Sequence, residues 1–205
     1  MLSNRGIYAI TDCANNTERE LLEKSEKILK TGISLFQYRN KESDQQKKKR
    51  LSQELQSLCL QHNVPFIVND DVALAKDISA DGVHLGKDDG DIHLARKTLG
   101  AKIIGVSCYS DIDRATEAAK SGADYIAFGA FFPSITKPDA KKAEIDLVVQ
   151  AKLQLSIPIV AIGGITPENA KPLIGANIDY LAVISGLYSA SDTIMATQNY
   201  NDLFK

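Results

Sequence analysis

Two cations and two carboxylate pairs are set directly after short runs of β-branched or apolar residues, where a strand would end. Arg39 and Lys41, in Gln37-Tyr38-Arg39-Asn40-Lys41, are separated by one residue. In extended chain that spacing turns both side chains to the same side. A guanidinium offers a planar fork to phosphate oxygens and an ammonium a compact charge, so the two together suit an anionic substrate; the plainer reading is two ordinary surface cations. Asp70-Asp71 follows Asn69, and Asp88-Asp89 follows His84-Leu85-Gly86-Lys87. Mg²⁺ is commonly held by one or two carboxylates while water and substrate phosphate fill its other positions, so one member of each pair suffices. Both pairs also precede helix-like segments, where aspartate caps a helix. One member of each pair capping while the other binds metal satisfies both readings.

Further along, Phe131-Phe132-Pro133-Ser134-Ile135-Thr136-Lys137 mixes aromatic bulk with two hydroxyls and a lysine, enough to pack on a ring and hold an anion. Gly163-Gly164 and Ser185-Gly186 each sit between a strand-like run and a helix-like one, where backbone N–H groups bind phosphate. His84 reads first as a histidine packed at a strand end and second as an acid or base. Cys108, beside a strand end, is placed to face the site but reads as an unreactive thiol.

These residues need elements to hold them. The runs Gly6–Ile10, Ser34–Tyr38, Phe66–Val68, Gly82–Leu85, Lys102–Val106, Tyr125–Phe128, Ile157–Ile162 and Tyr180–Ile184 number eight. They are short and mostly apolar without strict alternation, as strands buried on both faces are. Between them lie helical patterns: Asn16–Lys30 carries Leu21, Leu22, Ser25, Ile28 and Leu29 on one stripe, and Gln46–Gln61 carries Leu51, Leu55, Leu58 and Cys59. Thr166-Pro167-Glu168 reads as a helix start, and Gly32, Gly100, Gly122 and Gly175 as helix ends. Eight alternations of strand and helix predict an α/β fold, a (β/α)8 TIM barrel in a single domain over residues 1–205, with its site at the C-terminal strand ends. An open doubly wound sheet would call for a glycine-rich turn after the first strand, and Thr11-Asp12 is not one. A metal-assisted diphosphate site across strands 2–4 and a phosphate site at strands 7–8 complete the expectation.

Composition narrows the class. The 205 residues are 44% hydrophobic and 24% charged, enough for a sizeable core, with a net charge of -2. That balance argues against a nucleic-acid partner, and the run Lys47-Lys48-Lys49-Arg50 reads as a solvated helix face. No apolar stretch is long enough to span a bilayer, and the N-terminus has no signal-peptide pattern. Cys13, Cys59 and Cys108 form no paired motif, so a cytoplasmic enzyme is expected.

Seven segments in order, Tyr8–Asp12, Gln37–Lys41, Val68–Asp71, Asp81–Gly86, Gly105–Ser107, Phe132–Lys137 and Ala161–Ile165, together resemble the thiamine phosphate synthase (thiamine-phosphate pyrophosphorylase) family over nearly the whole chain. The resemblance implies an alkyl/aryl transferase that joins hydroxymethylpyrimidine diphosphate to hydroxyethylthiazole phosphate, giving thiamine phosphate and pyrophosphate. It implies that Gln37, Arg39, Lys41 and Asn69 hold the pyrimidine diphosphate together with Ser107 and Lys137. Asp70 and Asp89 would be the Mg²⁺ ligands. Ser134 and Thr136 would bind the thiazole phosphate, and Gly164, Ile184 and Ser185 would complete its cradle. Arg39, Lys41, Ser107 and Lys137 would carry the catalysis by stabilising the departing diphosphate, with no protein nucleophile. The chain departs from the family pattern at Lys87 (usually Gln), at Ser134 (usually Thr) and at Cys108-Tyr109, where His is frequent. Family members are soluble and some oligomerise, so a homo-oligomer is an expectation as well.

The nearest rival is a thiazole tautomerase on the same fold, which should not need the full set Arg39, Lys41, Asp70, Asp89 and Lys137. A retired barrel acting only as a regulator should have lost the metal ligands. Generic phosphate-binding barrels explain Gly163-Gly164 but not the paired carboxylates.

Overall fold

The apolar runs become strands that pair in sequence order. In a computed structural model describing residues 2, 5–41, 44–87, 89–133 and 142–205, they are β1 Gly6–Ile10, β2 Leu35–Tyr38, β3 Phe66–Asn69, β4 Gly82–Leu85, β5 Ile103–Tyr109, β6 Tyr125–Phe128, β7 Ile159–Ile162 and β8 Tyr180–Val183. All neighbours are parallel and β8 returns to β1, so the sheet closes into a barrel with no free edge. Around it lie α1 Glu18–Leu29, α2 Gln45–Gln61, α3 Val72–Asp77, α4 Ile92–Leu99, α5 Ile112–Lys120, α6 Ile145–Gln154, α7 Lys171–Gly175, α8 Ser185–Tyr188 and α9 Thr193–Asn201.

Two cores follow from the two buried faces of each strand. Ile7, Phe36, Phe66, Val83, Ile104, Ile126 and Leu181 point outward and pack under the helices. Tyr8, Ile10, Leu35, Ile67, Tyr125, Val160 and Tyr180 fill the barrel itself. Strand ends differ from the sequence reading by a few residues. β5 runs on past Val106 to Tyr109, with a shift of register between Ser107 and Tyr109 against β6. Gly32, Gly100 and Gly122 do end helical runs with positive φ, whereas Gly175 lies within α7 and Asn177 takes the left-handed turn at φ 63°. Thr166 caps only a turn, through Asn169 N–H, and the helix itself begins at Lys171 with Pro172 in its first turn. Of the basic run on α2, Lys47 and Arg50 pair with Glu18 and Lys49 pairs with Asp77.

A repeated device fixes the strand starts at the face opposite the predicted site. Asp81, Asp124 and Asp179 each precede a strand, and each carboxylate accepts the backbone N–H at or beside the start of the preceding strand: Phe66 at 2.9 Å, Ile104 at 2.7 Å and Ile159 at 2.7 Å. Asp124 also pairs with Arg96, and Asp179 with Lys152.

Candidate active site

The loop after β2 is pinned to the loop after β1 by one hydroxyl. Thr11 Oγ1 accepts from Arg39 N–H at 2.8 Å and donates to Arg39 C=O at 3.2 Å. That bracket fixes the Arg39 backbone at the rim, and its guanidinium is left without a hydrogen bond among the described residues. Two residues on, Lys41 Nζ stands 3.4 Å from Asp70 Oδ2.

Asp70 occupies a left-handed backbone conformation, φ 64°, which aspartate tolerates better than most residues. Its N–H donates to His84 C=O at 2.8 Å, tying the β3 end to β4. Asp71 spends its carboxylate on the α3 N-terminus, accepting from Leu74 N–H at 2.8 Å. The two members of this pair thus divide as one helix cap and one carboxylate turned toward Lys41 and Asp89. The second pair divides otherwise: Asp91 caps α4, while Asp89 Oδ2 accepts from Gly86 N–H at 3.0 Å. Asp88 lies outside the described residues.

Gly86 sits beside both Asp89 and Asp70. A Cβ there would lie 2.2 Å from Asp89 Oδ2, so a larger residue would make that carboxylate shift, while Asp70 Oδ1 would be in ordinary contact at 4.0 Å. Burial, and then the neighbouring Asp70 carboxylate, push the Asp89 carboxyl above its ordinary range. Two carboxylates in mutual contact are stabilised by a cation between them. The Asp70 and Asp89 carboxylates, with water and substrate oxygens, are a donor set within reach of one cation. It is an all-oxygen set that fits a hard divalent cation. Lys41, Asn69, Asp70 and Asp89 line one cleft of about 730 Å³ that runs outward beside α3 and α4. Lys87 lies apart from it, lining a shallow depression with Tyr109, Asp111 and Arg114.

Ser107 and Gln37 face inward from β5 and β2 and are joined through the barrel interior. Gln37 Nε2 donates to Tyr8 Oη, Tyr8 and Tyr125 share a hydroxyl bond, and His84 lies between Tyr125 Oη and Ser107 Oγ. Burial pushes the His84 pKa down to about 4, so it is neutral near pH 7 and acts as a packed, hydrogen-bonded ring. Tyr8 and Tyr125 were not visible as site residues: only their inward register, once β1 and β6 are laid in a barrel, brings them under the rim. Cys108 does not face the site. Alternation along β5 sends it outward into the helix–barrel core, where burial raises its thiol to about 12.

On the far side of the rim, Gly163 and Gly164 have φ of 104° and 59°. Phe132 N–H donates to Gly163 C=O at 3.0 Å, and a Cβ on Gly164 would lie 2.2 Å from Pro133 O. The glycine pair therefore presses the β7 loop against the β6 loop. Ile184 is the residue before α8 and Ser185 its first. Ser134, Thr136 and Lys137 lie outside the described residues. Ala143 N–H donates to Ala130 C=O at 2.8 Å.

A family model for thiamine monophosphate synthase matches residues 7–187. The chain is 47% identical over 203 residues to a thiamine-phosphate synthase of Nitrosococcus oceani, covering 98% of this chain and 94% of the relative. It is 48% identical over 200 residues to one of Thiobacillus denitrificans, covering 97% and 94%. A solved thiamine phosphate pyrophosphorylase from Pyrococcus furiosus superposes with a TM-score of 0.89 at 33% identity, covering 97% of this chain and 95% of that one.

Proposed function

The chain belongs to the thiamine monophosphate synthase family, and from that premise we propose how its rim performs the transfer. The C–O bond to the diphosphate of 4-amino-2-methyl-5-(diphosphooxymethyl)pyrimidine breaks first, and the electron pair leaves with pyrophosphate. The ring nitrogen of 4-methyl-5-(2-phosphooxyethyl)thiazole then gives its lone pair to the pyrimidine methylene cation, and the new C–N bond yields thiamine phosphate. The observation that carries this reading is the Asp70–Asp89 pair facing across Gly86 with Lys41 beside it.

Asp70 and Asp89 would hold a divalent cation, which we take to be Mg²⁺, and when bound it supplies neutralising charge to the diphosphate. Arg39 and Lys41 add fixed positive charge where negative charge collects on the leaving group, and Asn69 and Ser107 add neutral hydrogen bonds. Gln37 orients the pyrimidine. Gly164, Ile184 and Ser185 receive the thiazole phosphate on backbone N–H groups. The same reading gives Lys137 to the diphosphate and Ser134 and Thr136 to the thiazole phosphate. Three free cysteines suit a reducing cytoplasm, and no described helix is long and apolar enough to cross a membrane. Self-association is part of the proposal too, testable by sedimentation.

Pyrophosphate should be released only when both substrates and a divalent cation are present, with Mg²⁺ supporting full turnover. Tautomerisation of the thiazole without pyrophosphate release would overturn the assignment.

A further inference from the structure

Beneath the rim, the barrel interior carries a continuous polar line. Gln37 Nε2 donates to Tyr8 Oη at 2.7 Å; the Tyr8 and Tyr125 hydroxyls meet at 2.7 Å; Tyr125 Oη meets His84 Nδ1 at 3.0 Å; His84 Nε2 meets Ser107 Oγ at 2.8 Å. The three middle residues are buried, and the Tyr125 ring stacks on His84 and meets Tyr8 edge-on. Gly105 makes the space: a Cβ there would lie 1.9 Å from Tyr125 Cζ. The line ends at two residues assigned above to the pyrimidine substrate, and its three middle members have no role in that assignment.

Counting hydrogens gives the line a direction. Sealed in the barrel, each tyrosine hydroxyl and the neutral imidazole carries one donor hydrogen. Gln37 already donates to Tyr8, so the Tyr8 hydrogen goes to Tyr125 and the Tyr125 hydrogen goes to His84 Nδ1. His84 then carries its proton on Nε2 and donates to Ser107 Oγ. In the opposite order the Tyr8 hydrogen, sealed in the barrel, would have no acceptor, which is costly. The favoured order leaves the Ser107 hydrogen and the Gln37 carbonyl oxygen without partners among the described residues.

We propose that Tyr125, with Tyr8 and His84, is a positioning relay for the pyrimidine subsite, fixing the tautomer of His84 so that Ser107 offers a donor and Gln37 an acceptor to the substrate. The chemistry matches: diphosphate oxygens accept, and the pyrimidine amino group donates. The inference rests on the reading of Gln37 and Ser107 as contacts of the pyrimidine diphosphate.

Its test has a substrate-free arm and a kinetic arm. Nitrogen-15 spectra of histidine-labelled protein, with the His84 signals identified by their loss in His84→Gln, should show Nε2 protonated and Nδ1 bare. In Tyr125→Phe that single tautomer should give way to a mixture. The same variant should raise KM for the pyrimidine diphosphate roughly five- to tenfold while leaving KM for the thiazole phosphate unchanged. In a Ser107→Ala background the Tyr125→Phe effect should shrink to that of the Gln37 end alone. Protonation of Nδ1 in the wild type, an unchanged tautomer in Tyr125→Phe, or wild-type kinetics of that variant would each overturn the relay. Failure of the proposed function reads differently, as no pyrophosphate release by the wild type, and the spectra decide the donor order even then.

Discussion

Asp70 meets two demands at once, a left-handed backbone and a carboxylate not spent on a helix cap, and the two can be separated by substitution. Asparagine also tolerates φ near 64°, so Asp70→Asn should keep the thermal midpoint of the wild type while kcat/KM for the pyrimidine diphosphate falls by at least about 100-fold. Asp70→Ala should lose the same activity and, in addition, roughly 1–2 kcal/mol of stability, because alanine resists that conformation. Paired steady-state kinetics and urea titrations would separate the two losses. Gly86→Ala probes the same place without removing a carboxylate. Its Cβ would press on Asp89 Oδ2, so the divalent-cation requirement should rise by about 10–100-fold and be met by adding cation. A Gly86→Ala enzyme with a wild-type cation titration would show that the two carboxylates do not act together. The sequence carried the residue types here but not their division of labour. Asp70 and Asp71 are chemically identical neighbours, and what separates them is backbone direction: Asp71 looks along α3 and Asp70 looks across to β4. Asp88-Asp89 misled in a different way, since the cap is supplied two residues later by Asp91.

Strand starts and strand ends do different work. The carboxylates of Asp81, Asp124 and Asp179 join adjacent strands at the face away from the proposed site, where geometry serves stability rather than chemistry. Asp179 is the best enclosed pair of the set, holding Ile159 N–H and Lys152 together. Replacing it with alanine leaves a backbone donor and a partly buried ammonium without their acceptor. Asp179→Ala should therefore cost about 2–3 kcal/mol in denaturant unfolding, while kcat of the folded fraction stays near wild type. A large fall in kcat at unchanged stability would mean that the barrel transmits strain from floor to rim. Nothing local in the sequence marks these aspartates as strand clamps. Their pairing partners are fixed by the parallel register of a neighbour some 15–20 residues away. The eight strands themselves were legible because burial on both faces demands unbroken apolar runs. The Thr166 turn was misread because a cap and a proline describe the first turn of any helix, and nothing local says that the helix waits until Lys171.

At the scale of the whole molecule, the barrel interior joins stability to the site through one titratable ring. Closure of eight strands was legible as a count, but the interior polar line was not, because Tyr8, Gln37, His84, Ser107 and Tyr125 belong to five different strands and meet only when the sheet closes. The same closure buries His84, whose proton affinity is held down mainly by loss of solvent and is only partly restored by Asp89. In the unfolded chain an ordinary histidine takes up its proton near pH 6.5; in the barrel it does so only near pH 4. Between those values the unfolded state binds more protons, so stability rises with pH across the window and falls as pH drops through it. The loss contributed by this one side chain reaches about 3 kcal/mol below pH 4 and is absent above pH 7. His84→Gln has no such proton to take up. Urea unfolding at a series of pH values from 7 to 4 should show the wild type losing stability more steeply than His84→Gln. The gap should widen through that window and level off below it, and parallel curves would mean that His84 titrates normally and is not sealed in the barrel.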